Sequence, residues 1–444
     1  MERPTWIKLA PLPPFKPDLY QRAWQSIPHP TLPLLATVHE KSVTIFSLST
    51  MSAHSALTNG HERSIRSTTW RPNLPPHKLC LVTGSFDATA GLWKWGDYSS
   101  GDLEVEVASD SIPDKDWELI VILDGHDNEI KSVAFSPTGQ FLATCSRDKT
   151  VWIWEDVGGE ADDDWETVAV LNEHDADVKA VAWCPETDRS GRGRHGSDVL
   201  ASASYDNTVR VWREDGDENW VCVAVLEGHE GTVWGLQWEP EPKDGKFPRL
   251  LTWSADRTIK IWTLKEEEEE EEAPRHPWTG LSGLSGMGGL SGMGGIPNTM
   301  RRSLKEEWEC TATLPKVHTR DIYAATWSAK SGLVASTGSD GIIAIYDEVE
   351  GEGMNGVAHV TDDEAAAELD GDVPMTNGHE NQAQESRRWK LISMTPNGHG
   401  PYEINHITWC NRYDQECLPE SRGVAEVLIT TGDDGIVRPW KIVL

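Results

Sequence analysis

Residues 143–156 read ATCSRDKTVWIWED, and the pattern they hold recurs along most of the chain. Apolar residues alternate on both sides of Ser-Arg-Asp-Lys, so two strands flank a tight turn. Thr144 precedes Asp148 by four residues, and Trp154 follows it by six. Upstream, His126 stands nine residues before Phe135. A carboxylate only accepts hydrogen bonds, and an indole N–H only donates them. With an imidazole and a hydroxyl between them, all four can be satisfied while buried. Such a network sets the turn while the indole body fills the core.

The same spacing returns five times. His174, Ser202, Asp206 and Trp212 make one set, and His229, Thr252, Asp256 and Trp262 another. His61, Thr83, Asp87 and Trp93 precede them. His318, Ser336, Asp340 and Tyr346 follow, then His399, Thr430, Asp434 and Trp440. Nine or ten residues before five of these histidines, a further Trp opens an outer strand: Trp117, Trp165, Trp220, Trp308 and Trp389. This four-strand unit resembles the WD40 repeat, which implies a β-propeller with one unit per blade.

Six blades leave both chain ends to be explained. The same ruler runs nine residues from Trp6 to Phe15 and nine more to Trp24. It indicates a degenerate first repeat, with Phe15 in the His place, Glu40 in the Asp place and Phe46 in the Trp place. The last repeat has no outer strand after Trp440, and Pro439 is expected to interrupt its final strand. TWIKL at 5–9 has no inner strands of its own, so it is expected to fill the gap and remove two sheet edges. The expectation is an all-β chain, one seven-bladed WD40 β-propeller over 1–444 closed by the N-terminal strand.

The totals narrow the function. A net charge of −32 over 444 residues disfavours nucleic acid as a partner, because phosphate would be repelled. Seven scattered cysteines suggest buried thiols in a reducing compartment rather than a disulfide framework or a metal site. No secretory pattern and no long apolar run is present, so no membrane role is expected. The low-complexity insertion 265–307 and the acidic insertion 348–388 are expected to be disordered, one carrying a Glu run and Gly-rich repeats, the other mostly acidic. DGDEN at 215–219 begins like a calcium loop but lacks the required Gly and Glu. The Gly-rich stretch has no Gly-Lys-Ser/Thr, so it is no phosphate loop. The six histidines have local partners, so no shared metal is expected. No nucleophile–base pair stands out, and the expectation is no enzyme and no cofactor.

All large insertions connect first to second or third to fourth strands, which leaves the opposite face with short, regular loops. SIRSTTW, EIKSVAF, DVKAVAW, TVWGLQW, DIYAATW and EINHITW align as first strands. Their third residues, Arg66, Lys131, Lys179, Trp234, Tyr323 and Asn405, should crowd the mouth of the central opening. The residues before the turn Asp add Phe86, Arg147, Tyr205 and Ala255, with Ser339 and Asp433. Arg147 is not required by its turn, since its equivalents are of other types. It joins a basic, aromatic-flanked patch on a very acidic chain, and Arg and aromatics are enriched where partners anchor. The competing reading pairs Arg147 internally, with Asp148 or Glu129.

Whole phrases also resemble one family, the WD40 subunit of the cytosolic iron–sulfur protein assembly targeting complex. They are ATCSRDKTVWIWE, LNEHDADVKAVAWCP, ASASYDNTVRVW, VLEGHEGTVWGLQW, LPKVHTRDIYAATWS, YEINHITW and TGDDGIVRPW, in order through repeats three to seven. The resemblance implies a non-enzymatic adaptor that helps deliver clusters to cytosolic and nuclear apoproteins. Its implied partners are an assembly factor with a reactive cysteine, a HEAT-repeat scaffold, an iron-only-hydrogenase-like cluster carrier and client apo-Fe–S proteins. It implies a cytoplasmic location, with the nucleus as a second. Family clients are thought to present a C-terminal tail ending in an aromatic residue, and Arg147 lies in the matching SRDK phrase. The competing class is another WD40 scaffold, such as a ubiquitin-ligase substrate receptor or a chromatin adaptor.

Overall fold

The computed structural model describes residues 6–76, 78–96, 116–158, 164–185, 199–215, 219–242, 246–265, 305–350 and 387–443. Its strands form seven four-stranded antiparallel sheets arranged as a propeller. Blade 3 shows the plan: Ile130–Phe135, Phe141–Ser146, Val151–Asp156 and Trp165–Leu171, in that order. The middle strands are apolar because they are covered on both faces. Leu142, Ala143, Cys145, Val151 and Ile153 are all at 0% exposure.

Each core cluster lies between two neighbouring sheets. Ala143, Cys145, Val151 and Ile153 of blade 3 pack against Val178, Val181, Trp183 and Leu200 of blade 4. No blade therefore buries its faces alone, and the ring must close for the first and last blades to be covered on both faces. Closure occurs as the sequence indicates. Lys8–Pro11 pairs antiparallel with Arg438–Val443, giving blade 7 its fourth strand. Ile7 and Leu9 join the cluster shared with blade 6.

Blade 1 corrects part of the sequence reading. Phe46 does occupy the Trp place and packs on Phe15, with ring centroids 5.4 Å apart. Glu40 does not act as a turn Asp. It belongs to a two-residue turn between His39 and Ser42, is exposed, and has φ 42°. Trp24 is also displaced from its expected place. Ala23 pairs with His39 as Ile65 pairs with Ser85, so Trp24 matches Arg66 rather than Trp70. A ruler tied to His–aromatic spacing fails where the histidine and its turn are gone. Pro439 does not interrupt the final strand either. It lies inside Arg438–Val443 opposite Ile429.

The connections 97–115, 159–163, 186–198, 216–218, 243–245, 266–304 and 351–386 lie outside the described residues. They include most of both insertions expected from the sequence. The flanking strands run to Leu264 and Glu350 and resume at Trp308 and Arg387.

Candidate partner-binding face

Six turns are held by the network anticipated from spacing. In blade 3, Trp154 Nε1 donates to Thr144 Oγ1 at 3.0 Å. His126 Nε2 lies 2.8 Å from the same oxygen, and Nδ1 lies 2.8 Å from Asp148. Because the carboxylate can only accept, Nδ1 carries the proton. Because the indole can only donate, the Thr144 hydrogen is free to go to Nε2. Asp148 also accepts from the amide N–H of Asp127 and Thr150. Burial pushes its carboxyl up, but bonds from His126 and Thr150 outweigh that and hold it at about 2. Blade 4 repeats the set with His174, Ser202, Asp206 and Trp212, and blade 5 with His229, Thr252, Asp256 and Trp262. These are structural fixtures that hold the short loops of one face rigid.

On that face, every first strand carries a β-bulge at one position. The pairing with the second strand skips Trp24, Arg66, Lys131, Lys179, Trp234, Tyr323 and Asn405 in turn. A bulge leaves its residue unpaired and re-aims the side chain. Here the seven bulges surround the central opening. With Arg22, Phe86 and Glu403, these residues enclose a cavity of about 310 Å³ at its mouth. The six expected third-position residues are thus brought together. A further channel cavity of about 290 Å³ lies deeper, lined in part by Ser132, Val181 and His406.

The mouth has two electrostatic halves. Lys131 Nζ lies 2.6 Å from Glu129 and 4.4 Å from the Phe86 ring centroid. Lys179 Nζ lies 3.0 Å from Asp177 and about equally near the Tyr205 and Trp234 rings. Arg66 sits 5.0 Å over Trp24, and Arg22 4.8 Å over it. Burial pulls the Arg66 guanidinium down to about 10, and Arg22 adds to the effect. Across the opening, Trp234 Nε1 donates to Asp321, and its ring meets Tyr323 edge-on at 5.6 Å. Burial raises the Tyr323 hydroxyl, and the Glu403 and Asp321 carboxylates raise it further. Asn405 donates to Asp433 at 2.8 Å and to the Ala23 carbonyl at 3.1 Å. Below, burial and then Arg66 hold His406 down to about 3, so its ring is neutral and accepts from the Ser26 amide.

Arg147 lies outside the mouth, on the rim. With Lys131, Asp177, Lys179 and Tyr205 it lines a separate groove of about 270 Å³. Its side chain is 55% exposed and only 3.8 Å from Glu129. Glu129 is held more closely by Lys131 and by Arg63, the latter at 3.1 Å. The internal pairing considered for Arg147 therefore exists in a loose form. Tyr205 is 58% exposed beside it.

Sequence spacing missed Trp24, Arg22 and Glu403. RAWQSIP aligns with SIRSTTW once the apolar second position is used as the anchor, and that signal would have found Trp24. The seven cysteines are all thiols outside any disulfide, with Cys80, Cys145, Cys184, Cys410 and Cys417 buried and Cys310 exposed. Burial pushes the Cys184 thiol up to about 12 and Cys145 and Cys410 higher. Among the described residues, no three His, Cys, Asp or Glu are grouped to hold a metal ion.

Comparison with known proteins supplies the biological context. The family described as WD domain, G-beta repeat matches residues 117–155, 165–213, 220–263 and 308–347. A Pyricularia oryzae protein named probable cytosolic iron-sulfur protein assembly protein 1 is 57% identical, over 98% of this chain and 97% of its own. Proteins of the same name from Neurospora crassa and Chaetomium globosum are 53% and 54% identical. Each alignment covers 99% of this chain and 96% of the relative.

Proposed function

The chain belongs to the family of cytosolic iron–sulfur protein assembly protein 1, and we propose that it is a non-enzymatic adaptor of that machinery. The observation that carries the process is likeness along the full length to relatives bearing that name. A generic scaffold for ubiquitin ligation or chromatin has no comparable support. The cluster is cargo in this reading, passed between partners that the propeller holds together.

The partners fitting this role are a factor with a reactive cysteine, a HEAT-repeat scaffold, an iron-only-hydrogenase-like carrier and client apo-Fe–S proteins. The bulge residues and the Arg147 groove offer them a docking face. Rigid short loops and convergent cationic and aromatic side chains support this, because pre-ordered anchors lower the entropic cost of binding. Arg147, exposed and weakly held, contacts a partner or client from the rim. The workplace is the cytoplasm, in keeping with the relatives' printed names, and nuclear clients extend it to the nucleus.

The test is affinity purification of the tagged full chain from its own cytosol, followed by mass spectrometry. Recovery of the HEAT-repeat and reactive-cysteine factors supports the reading. Recovery of a cullin adaptor or histones in their place would overturn it.

A further inference from the structure

The face that carries the long connections has a cavity of its own. It holds about 400 Å³ at the ends of the first strands of blades 5, 6, 7 and 1, walled in part by Pro28, Pro30, Leu32, Pro240, Trp327 and Tyr413. In blades 2, 4 and 5 the indole N–H of the first-strand Trp bridges to a backbone carbonyl of the preceding blade: Trp70 to Ile27, Trp183 to Ala134 and Trp238 to Ala182. The two Trp on the cavity wall lack that bridge. Trp327 turns to Gly332 of its own blade, and the buried N–H of Trp409 has no partner among the described residues. The wall is rich in aromatic rings and prolines, the kind of surface that takes an extended apolar segment. Lys330 at the cavity donates to Asn411 Oδ1 at 2.9 Å and to the Val424 carbonyl at 2.6 Å, both neutral. An ammonium has three donors, so one hydrogen and the charge itself are unanswered by the described residues.

We propose that the chain's own acidic insertion occupies this cavity: Val373-Pro374-Met375 packs on the aromatic and proline wall, and the carboxylates just before it, Asp370 and Asp372, answer Lys330. Residues 351–386 leave blade 6 after Glu350 and return at Arg387, on this same face. Two residues before the exit, Glu348 accepts two bonds from Arg249, whose guanidinium lies 4.8 Å over the Trp327 ring of the cavity wall. The segment therefore departs beside the cavity. Twelve residues separate Met375 from Arg387, and a free chain of that length spans roughly 20 Å. Tethering at such reach gives an effective concentration of about millimolar, so a contact too weak to hold a separate peptide is populated. The segment carries nine Asp and Glu and no Lys or Arg, which suits a cation without a carboxylate. Glu426 on the wall, held by Ser328 Oγ at 2.6 Å, repels the acidic residues. The apolar triplet is thus the part that enters, while the carboxylates stay beside Lys330. The site is filled from within the chain, which leaves partners the opposite face. The inference does not depend on what docks there.

Carbodiimide coupling of the purified full chain at low concentration tests this, because it joins an ammonium to a carboxylate only where the two touch. Peptide mass spectrometry should find Lys330 joined to Asp370 or Asp372 within single chains. Lys265 and Glu307, 2.5 Å apart on the surface, supply an internal standard. The combined Val373→Ser, Pro374→Ser and Met375→Ser variant should lower the Lys330 coupling at least about fivefold relative to that standard, because the apolar anchor is lost. These three residues lie outside the seven sheets, so the variant should melt as the native chain does. Coupling of Lys330 to the Glu266–Glu272 run of the other long insertion, coupling only between two copies, no coupling of Lys330 while the standard couples, or undiminished coupling in the triple variant overturns the proposal.

Discussion

Leu9 stands directly opposite Ile442 in blade 7, so residues near the two ends of the sequence are partners in one sheet. Leu9 is 4% exposed and packs into the cluster with Ile404, Ile407, Leu428 and Trp440. Leu9→Ala should cost about 2–4 kcal/mol by the usual penalty for truncating a buried leucine. Lys8→Ala, one residue away on the exposed side, should cost less than about 0.5 kcal/mol. Urea unfolding of both variants measures the difference, and equal stability would argue against closure by this strand.

Thr144 links an indole to an imidazole in blade 3. Thr144→Val preserves its shape but removes the oxygen, leaving Trp154 Nε1 and His126 Nε2 buried without partners. The expected loss is about 2–6 kcal/mol, from about 1–3 kcal/mol for each of the two orphaned groups. Thr144→Ser keeps the oxygen and reproduces the arrangement that blade 4 has with Ser202, so it should lose less than half as much. Denaturant midpoints of the pair separate the hydrogen bonds from the packing.

Acid should unfold the ring through its turn carboxylates. Asp148 is held at about 2, below the ordinary carboxyl value of 3.8. Asp87, Asp206 and Asp256 are held lower still: in each, hydrogen bonds from the paired His and a Thr outweigh an opposing push from burial. A depressed carboxyl contributes its full stability above the unfolded value. That contribution shrinks as pH falls below about 4; for Asp148 it is gone once pH passes below about 2, and for the other three it persists to lower pH. For Asp148 it is on the order of 2 kcal/mol. Thermal melts between pH 6 and pH 2 should fall steeply only in the lower half. Asp148→Asn should flatten part of that fall while lowering stability at neutral pH.

Arg147→Glu should leave the fold intact, because the side chain is exposed and its one ion pair is long. Its stability change should lie within about 0.5 kcal/mol. Capture of partners or clients from cytosol should drop several-fold, since the reversed charge sits beside Lys131 and Lys179 in the rim groove. Undiminished capture would remove Arg147 from the docking face.

Alkylation should distinguish the cysteines. Burial keeps Cys145, Cys184 and Cys410 protonated and out of reach, whereas Cys310 is exposed. Brief treatment of the native chain with iodoacetamide should label Cys310 first, and peptide mass spectrometry reads the order. Early labelling of Cys145 would contradict the packing between blades 3 and 4.

The sequence by itself determined the repeat, its seven-fold closure and the network residues. The repeat and its network depend on contacts within one blade, so a fixed spacing reveals them, and closure follows from the outer strand that the last repeat lacks and the first segment supplies. His126, Thr144, Asp148 and Trp154 meet because strand pairing brings them together over fewer than thirty residues. It also placed six of the seven bulge residues at the mouth, since gapless first strands share one register. It lost Trp24 because blade 1 lacks the histidine and the longer turn that anchor the count. Only the tertiary structure decided what these side chains do. The bulges that turn them into the opening are irregularities of pairing, invisible in period-two alternation. Whether a cation has a partner depends on residues from neighbouring blades, such as Arg63 reaching Glu129 or Arg22 reaching Asp433. Arg66 and Lys131 look alike in the aligned strands, yet Lys131 has a carboxylate two residues earlier, just before its strand, and Arg66 has Trp24 from the neighbouring blade. Packing between blades makes that difference, because the distances across the opening are set when the ring closes.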